Sequence, residues 1–176
     1  TANTPRSYTN SLAANAVDVG NTSIVSQAAS AAVTIYENLN VTKAGPTPNN
    51  APAGNPVRYQ VTAQNWSAAA ISNLAITENF ANGQTFLTGT LGANTYTPSL
   101  SGTGCSGLSV SGATGDSSAL FTIGTVPARS STTSPGSCTV TFWAMTSTSA
   151  ASGSTYSNQL AAGSVCYDPG SGAICN

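Results

Sequence analysis

Residues 57–80, VRYQVTAQNWSAAAISNLAITENF, constrain the fold more than any other stretch, because they carry a two-residue alternation twice over. Val57, Tyr59, Val61 and Ala63 alternate with Arg58, Gln60, Thr62 and Gln64, the pattern of a strand with one face on a core. Leu74, Ile76, Glu78 and Phe80 then share one parity against Ala75, Thr77 and Asn79. The reading is two half-buried strands joined by a turn. It also puts a carboxylate on an apolar face, so Glu78 is protonated, paired, or at a strand end where water reaches it.

The chain has 176 residues, enough for one sandwich-sized core and too few for two comfortable ones. Only 5% of residues are charged, four basic and five acidic, so no field exists to hold nucleic acid. Histidine is absent, which removes the commonest general base and zinc ligand, and the four cysteines form no CxxC pair. An enzyme is therefore not expected, and neither a cofactor nor a metal is assigned. Asp116 and Asp168 could suggest calcium, but neither lies in a ligand-dense loop. An even cysteine count, three N-x-[ST] sequons (Asn21, Asn40, Asn65) and a single lysine fit an exported, secreted protein. No apolar run reaches the roughly 18 residues of a membrane span. The start without methionine or a charged leader is what signal-peptide removal leaves.

Along the chain, residues 1–32 are polar and Ala-rich and read as an N-terminal arm. Residues 33–165 read as the core domain. Within it Val33, Ile35, Leu39, Val41 and Lys43 share a parity, residues 45–56 (GPTPNNAPAGNP) form a loop, and residues 155–165 form a last strand with Tyr156, Asn158 and Leu160 on one face. Residues 166–176 read as a disulfide-closed hairpin. Roughly seven to nine short strands with frequent turn signals and no convincing helix predict an all-β, antiparallel β-sandwich with an extended arm. Four cysteines allow three pairings. Cys105 with Cys138 and Cys166 with Cys175 is favoured, because the second pair is local and leaves the first to staple a long loop.

The chain repeats itself. Tyr8, Asn10, Leu12, Ala13, Ala14 and Val17 recur in the same spacing as Tyr156, Asn158, Leu160, Ala161, Ala162 and Val165, six identities in ten positions. The arm is thus written like the domain's own last strand, and such a copy can complete the sheet of a neighbouring subunit. Tyr8, Asn10, Leu12 and Val17 are the candidate donor residues. The expected partners are copies of the chain itself, with glycans or other cell-surface components as further partners.

Four motifs in series, NVTKAG (residues 40–45), the stretch from GNPVRYQVTAQNW to LAITENF (residues 54–80), GSCTVTF (136–142) and YSNQLAAGS (156–164), resemble the repeats called domain of unknown function 11, found in bacterial and archaeal surface proteins. The resemblance covers about residues 33–165. It implies an immunoglobulin-like sandwich with an adhesive or structural role, in which the arm's pattern would close a preceding repeat or, where none exists, a neighbouring subunit. Glu78 stands where the family usually has aspartate.

Lys43, Glu78 and Asn158 share parity with apolar residues on a first, a middle and a last strand. Surface isopeptide domains use such a trio: a neutral lysine attacks the asparagine side-chain carbonyl, a protonated carboxyl polarises it, and ammonia leaves. Burial pushes both groups toward those neutral forms. Asn10 of a donated arm has the same Tyr-x-Asn-x-Leu context and is an alternative acceptor. A plain buried salt bridge between Lys43 and Glu78 is the other reading. Trp66 and Trp143 could form a sugar-stacking platform or could be strand packing. The functional expectation is a structural subunit of an extracellular filament or surface layer, with a single adhesion or carbohydrate-binding module as the alternative.

Overall fold

The computed structural model describes the backbone of residues 6–12, 18–19, 22–23 and 29–35, and, with side chains, residues 38–151, 153, 158–168 and 172–175. Two compact units are present, one of residues 3–37 and one built from Asn38 onwards. In the first, β1 (Arg6–Leu12) pairs antiparallel with β4 (Ala29–Ile35) from Arg6 opposite Ile35 to Leu12 opposite Ala29. The short β2 (Asp18–Val19) and β3 (Thr22–Ser23) pair with each other. The arm is thus a two-stranded ribbon rather than a single extended strand.

The second unit is an all-β antiparallel sandwich, with no helix among the described residues. Its strands are β5 (Leu39–Thr47), β6 (Pro56–Asn65), β7 (Ile71–Asn79), β8 (Thr85–Leu87), β9 (Gly89–Leu91), β10 (Asn94–Tyr96), β11 (Ser99–Ser101), β12 (Ser106–Ser111), β13 (Ser118–Val126), β14 (Gly136–Met145), β15 (Val165–Tyr167) and β16 (Ile174–Cys175). One sheet runs β11-β14-β6-β5, with β8 sharing an edge of β14; the other runs β12-β13-β7-β15-β16. Strands β9 and β10 form a separate hairpin.

The alternation in the sequence explains the layers. Val57, Tyr59, Val61 and Ala63 of β6 and Cys138, Val140, Phe142 and Ala144 of β14 face inward, and Leu74 and Ile76 of β7 with Ala119, Phe121 and Ile123 of β13 meet them. The sheets join at Phe121 and Phe142, whose ring centroids are 4.8 Å apart. Asn73, at φ 52°, turns β7 so that Ile71 and Leu74, three positions apart, both reach the core.

Several expectations are corrected. Strands β6 and β7 do not pair: the turn between them carries the chain from one sheet to the other, since alternation fixes which face is buried but not which strand lies alongside. The strand expected from Val33 to Lys43 is two strands, β4 ending at Ile35 and β5 starting at Leu39, and β5 runs into the first residues of the expected proline loop, to Thr47, past a register irregularity after Ala44. The last strand expected over residues 155–165 is not formed over its described part before Val165. Residues 158–163 run without ladder pairing, Gly163 takes φ 79°, and a turn closes from Ser164 N–H to Ala161 O before β15 begins at Val165. Tyr156 lies outside the described residues.

Candidate functional site

Among the described residues strand β5 is the edge of its sheet, and Lys43 lies opposite Val61 of β6 with its side chain turned into the sandwich. Its long stem crosses the core to Glu78 on β7, and Nζ donates to Glu78 Oε1 at 2.5 Å. The Glu78 side chain is fully buried, and that of Lys43 is 8% exposed. Ala119 stands beside Glu78 on β13, and its small side chain leaves the carboxylate room. Lys43 Nζ also lies 4.7 Å from the Tyr59 ring centroid and 5.7 Å from that of Phe142, so aromatic faces share its charge.

Desolvation dominates the electrostatics. Burial holds Lys43 below its ordinary value, against the hydrogen bond and charge of Glu78 that pull it up. Burial pushes Glu78 above the usual carboxylate range, against the charge and hydrogen bond of Lys43. Both shifts favour the neutral amine and the neutral acid over the ion pair.

Asn158 completes the cluster. Its amide lies beside Glu78 and the Tyr59 hydroxyl, close enough to bear on the ionisation of both. Tyr59 and Glu78 lie within hydrogen-bonding reach of it, yet neither its Oδ1 nor its Nδ2, nor Glu78 Oε2, meets full hydrogen-bond geometry. Three poorly satisfied polar atoms at one buried point cost up to about 1–3 kcal/mol each. Condensation would remove that cost. In such a condensation neutral Lys43 Nζ would attack Asn158 Cγ while Glu78, protonated, donates to Oδ1; Glu78 would then carry an Nζ proton to Nδ2, and ammonia would leave. In the product amide, the C=O would accept from the Glu78 O–H and the N–H would donate to its other oxygen. The expected trio is thus brought together at one place, although Asn158 arrives on a loop rather than on a strand.

Sequence reasoning missed Gln84, which is buried and exchanges hydrogen bonds with the Tyr59 hydroxyl at 3.0–3.1 Å. Its only signal was its place just after the Asn82-Gly83 turn. The pair fixes the Tyr59 ring against Lys43.

Both disulfides form as favoured, Cys105 with Cys138 and Cys166 with Cys175. The sequon at Asn65 is not available for a glycan in the folded protein: Asn65 is fully buried, its Nδ2 donates to Ala69 O and Pro127 O, and its Oδ1 accepts from the Ser67 backbone and hydroxyl. Asn40 is partly exposed and donates to Gln64 Oε1. Asn21 and Val17 lie outside the described residues. Tyr8, Asn10 and Leu12 occupy alternate positions of β1. Trp143 and Trp66 form no common platform. Trp143 pairs with Arg58 at one end of β6 and meets Tyr96 edge-on, whereas Trp66 follows the other end, roughly 20 Å or more along the strand. Asp116 caps a turn through the Ala113 N–H, and Asp168 accepts from the Gly172 N–H. Compared with family models, curated proteins and solved structures, the chain matches none.

Proposed function

We propose that this chain is a structural subunit of an extracellular filament or surface layer, assembled by donating its N-terminal strand to a neighbouring copy and hardened by an amide bond from Lys43. The observation that carries this reading is the duplicated segment. The copy in the arm is already a strand, β1, while the copy at the end of the sandwich makes no ladder from residue 158 to 161. A two-stranded ribbon such as β1 with β4 is marginal alone and gains by joining a larger sheet. Two disulfides fit an oxidising compartment, and among the described residues no helix is long and apolar enough to cross a membrane. The resemblance of the motif series to surface-protein repeats supports the same role. Removal of residues 1–37 should abolish polymers seen by negative-stain microscopy of the purified protein; polymers that persist unchanged would refute donation.

The second reading, a carbohydrate-binding module, draws on one feature. Trp143, half-buried on the outer face of β14, meets Tyr96 with ring centroids 6.0 Å apart, beside Arg58. Glycan binding lost in Trp143→Ala with the fold intact would favour it.

A further inference from the structure

The outer edge of β5 is unusually open. Its inner edge is bonded to β6 from Leu39 opposite Asn65 to Ala44 opposite Gln60, while residues 40–44 have no ladder partner on the other side among the described residues. Among the described residues nothing guards them. Edge strands are ordinarily protected by proline, outward charge or a bulge, but the outward positions here are Asn40, Thr42 and Ala44, and the lone lysine points inward. Protection starts only at the irregularity after Ala44 and at Pro46 and Pro48.

The chain's own segment nearest the cluster holds its place through side chains. Asn158 buries its amide beside Glu78, and Leu160 packs partly buried against the core, but residues 158–160 make no backbone hydrogen bond among the described residues. The first ladder contact after them is Thr77 N–H to Ser164 O. Gly163, in the left-handed region, turns the chain away. The arm's copy carries Asn15 where this copy has Gly163, and Ala16 where it has Ser164, and its Arg6–Leu12 part is already extended. The better strand former of the two copies is therefore the one in the arm.

We infer that the open edge of β5 accepts β1 of a second copy of the chain, whose Asn10 then reaches Lys43 and Glu78 in place of Asn158, so that the amide bond joins two chains. The inference rests on the strand-donation reading. Asn158 acts as a place-holder. A donated strand supplies backbone bonds that residues 158–160 lack and puts Tyr8, Asn10 and Leu12 at the spacing of Tyr156, Asn158 and Leu160. The chemistry is unchanged: Lys43 Nζ attacks Asn10 Cγ, the Cγ–Nδ2 bond breaks, and Glu78 passes the Nζ proton to the departing ammonia. No oxidant or cofactor is consumed. Each chain has one lysine and can form one such bond, so the asparagine that arrives first decides whether Lys43 locks its own sandwich or welds a polymer.

Two complementary variants test this. One is Lys43→Arg, which keeps Asn10 but has no amine; the other carries Asn10→Ala and Asn158→Ala, which keeps Lys43 but has neither acceptor. Alone, neither should give covalent species on a reducing, denaturing gel; mixed, they should give a covalent heterodimer whose digest contains residue 43 linked to residue 10. In case a variant folds poorly, wild-type chains mixed in heavy- and light-isotope forms should yield Lys43–Asn10 peptides of mixed isotope. Links found only between Lys43 and Asn158, in polymers that still depend on residues 1–37, would overturn the inference and leave donation standing. Wild-type protein that forms no polymer at all would overturn both.

Discussion

Asn158→Ala separates the covalent reading from the salt bridge by the size of its effect. If Lys43 and Asn158 remain unlinked in the mature protein, the substitution deletes a buried amide that is poorly satisfied, and stability should change by no more than about 1 kcal/mol in either direction. If they are linked, it deletes a cross-link closing a loop of about 115 residues, worth roughly 4.8 kcal/mol on the loop-entropy relation used for disulfides. Unfolding entropy of about 2.1 cal/mol/K per residue, over the roughly 140 residues of the sandwich unit, converts this to a loss of about 15 °C in Tm. Differential scanning calorimetry of dilute, monomeric protein reads the shift. Intact mass reads the bond: wild-type chain should weigh about 17 Da less than its oxidised sequence, the ammonia expelled, and Asn158→Ala should show no such deficit. A full wild-type mass, with Lys43 open to acetylation after unfolding, would refute the covalent argument whatever the calorimetry shows.

Lys43→Met should make stability depend on pH through Glu78. A carboxyl raised by burial contributes stability fully present below its ordinary 4.5 and lost as pH rises through the folded value, so urea midpoints should fall from about pH 4.5 upward, and adding Glu78→Gln should flatten the slope. Replacing Cys105 and Cys138 by alanine should cost about 3.7 kcal/mol, from a sequence separation of 33, and replacing Cys166 and Cys175 about 2.6 kcal/mol, from a separation of 9; chemical denaturation under non-reducing conditions compares them. Asn65→Ala should cost about 1–3 kcal/mol, because the buried Asn65 side chain ties Pro127 O and Ala69 O to the Ser67 N–H. Protein from a glycosylating host should carry no sugar on Asn65, and a glycopeptide there would contradict its burial.

How far the sequence could be read depended on which forces write a pattern. Burial of one face writes a period of two, so the inward sets of β6, β7 and β14 were legible, and so was the placing of Lys43 and Glu78 among them. Asn158 was found for an incomplete reason: its parity with Leu160 is real, but a glycine turn rather than a strand follows it. Sheet membership leaves no such trace, and the expected hairpin between β6 and β7 failed there. Strands of three residues, such as β9, β10 and β11, are too short to show periodicity inside a loop. Buried polar residues are the hardest to read. Asn65 and Gln84 look like surface residues until their partners, the Ala69 and Pro127 carbonyls and the Tyr59 hydroxyl, are in place.

The position of the cluster bears on what a polymer subunit must resist. In a polymer joined through residues 1–37, tension would reach the sandwich at β5, its first strand. Without a cross-link, a pull on β5 is opposed by its single ladder to β6, one row of backbone bonds that can open in sequence from an edge. An amide from Lys43 to Asn158 would route the force from β5 straight to the chain seven residues before β15, bypassing that ladder and the rest of the core. An amide to Asn10 of a second copy would go further, carrying force from one chain to the next through covalent bonds alone. A reactive cluster at an edge strand, rather than at the centre of a sheet, is where either bond changes mechanical strength most.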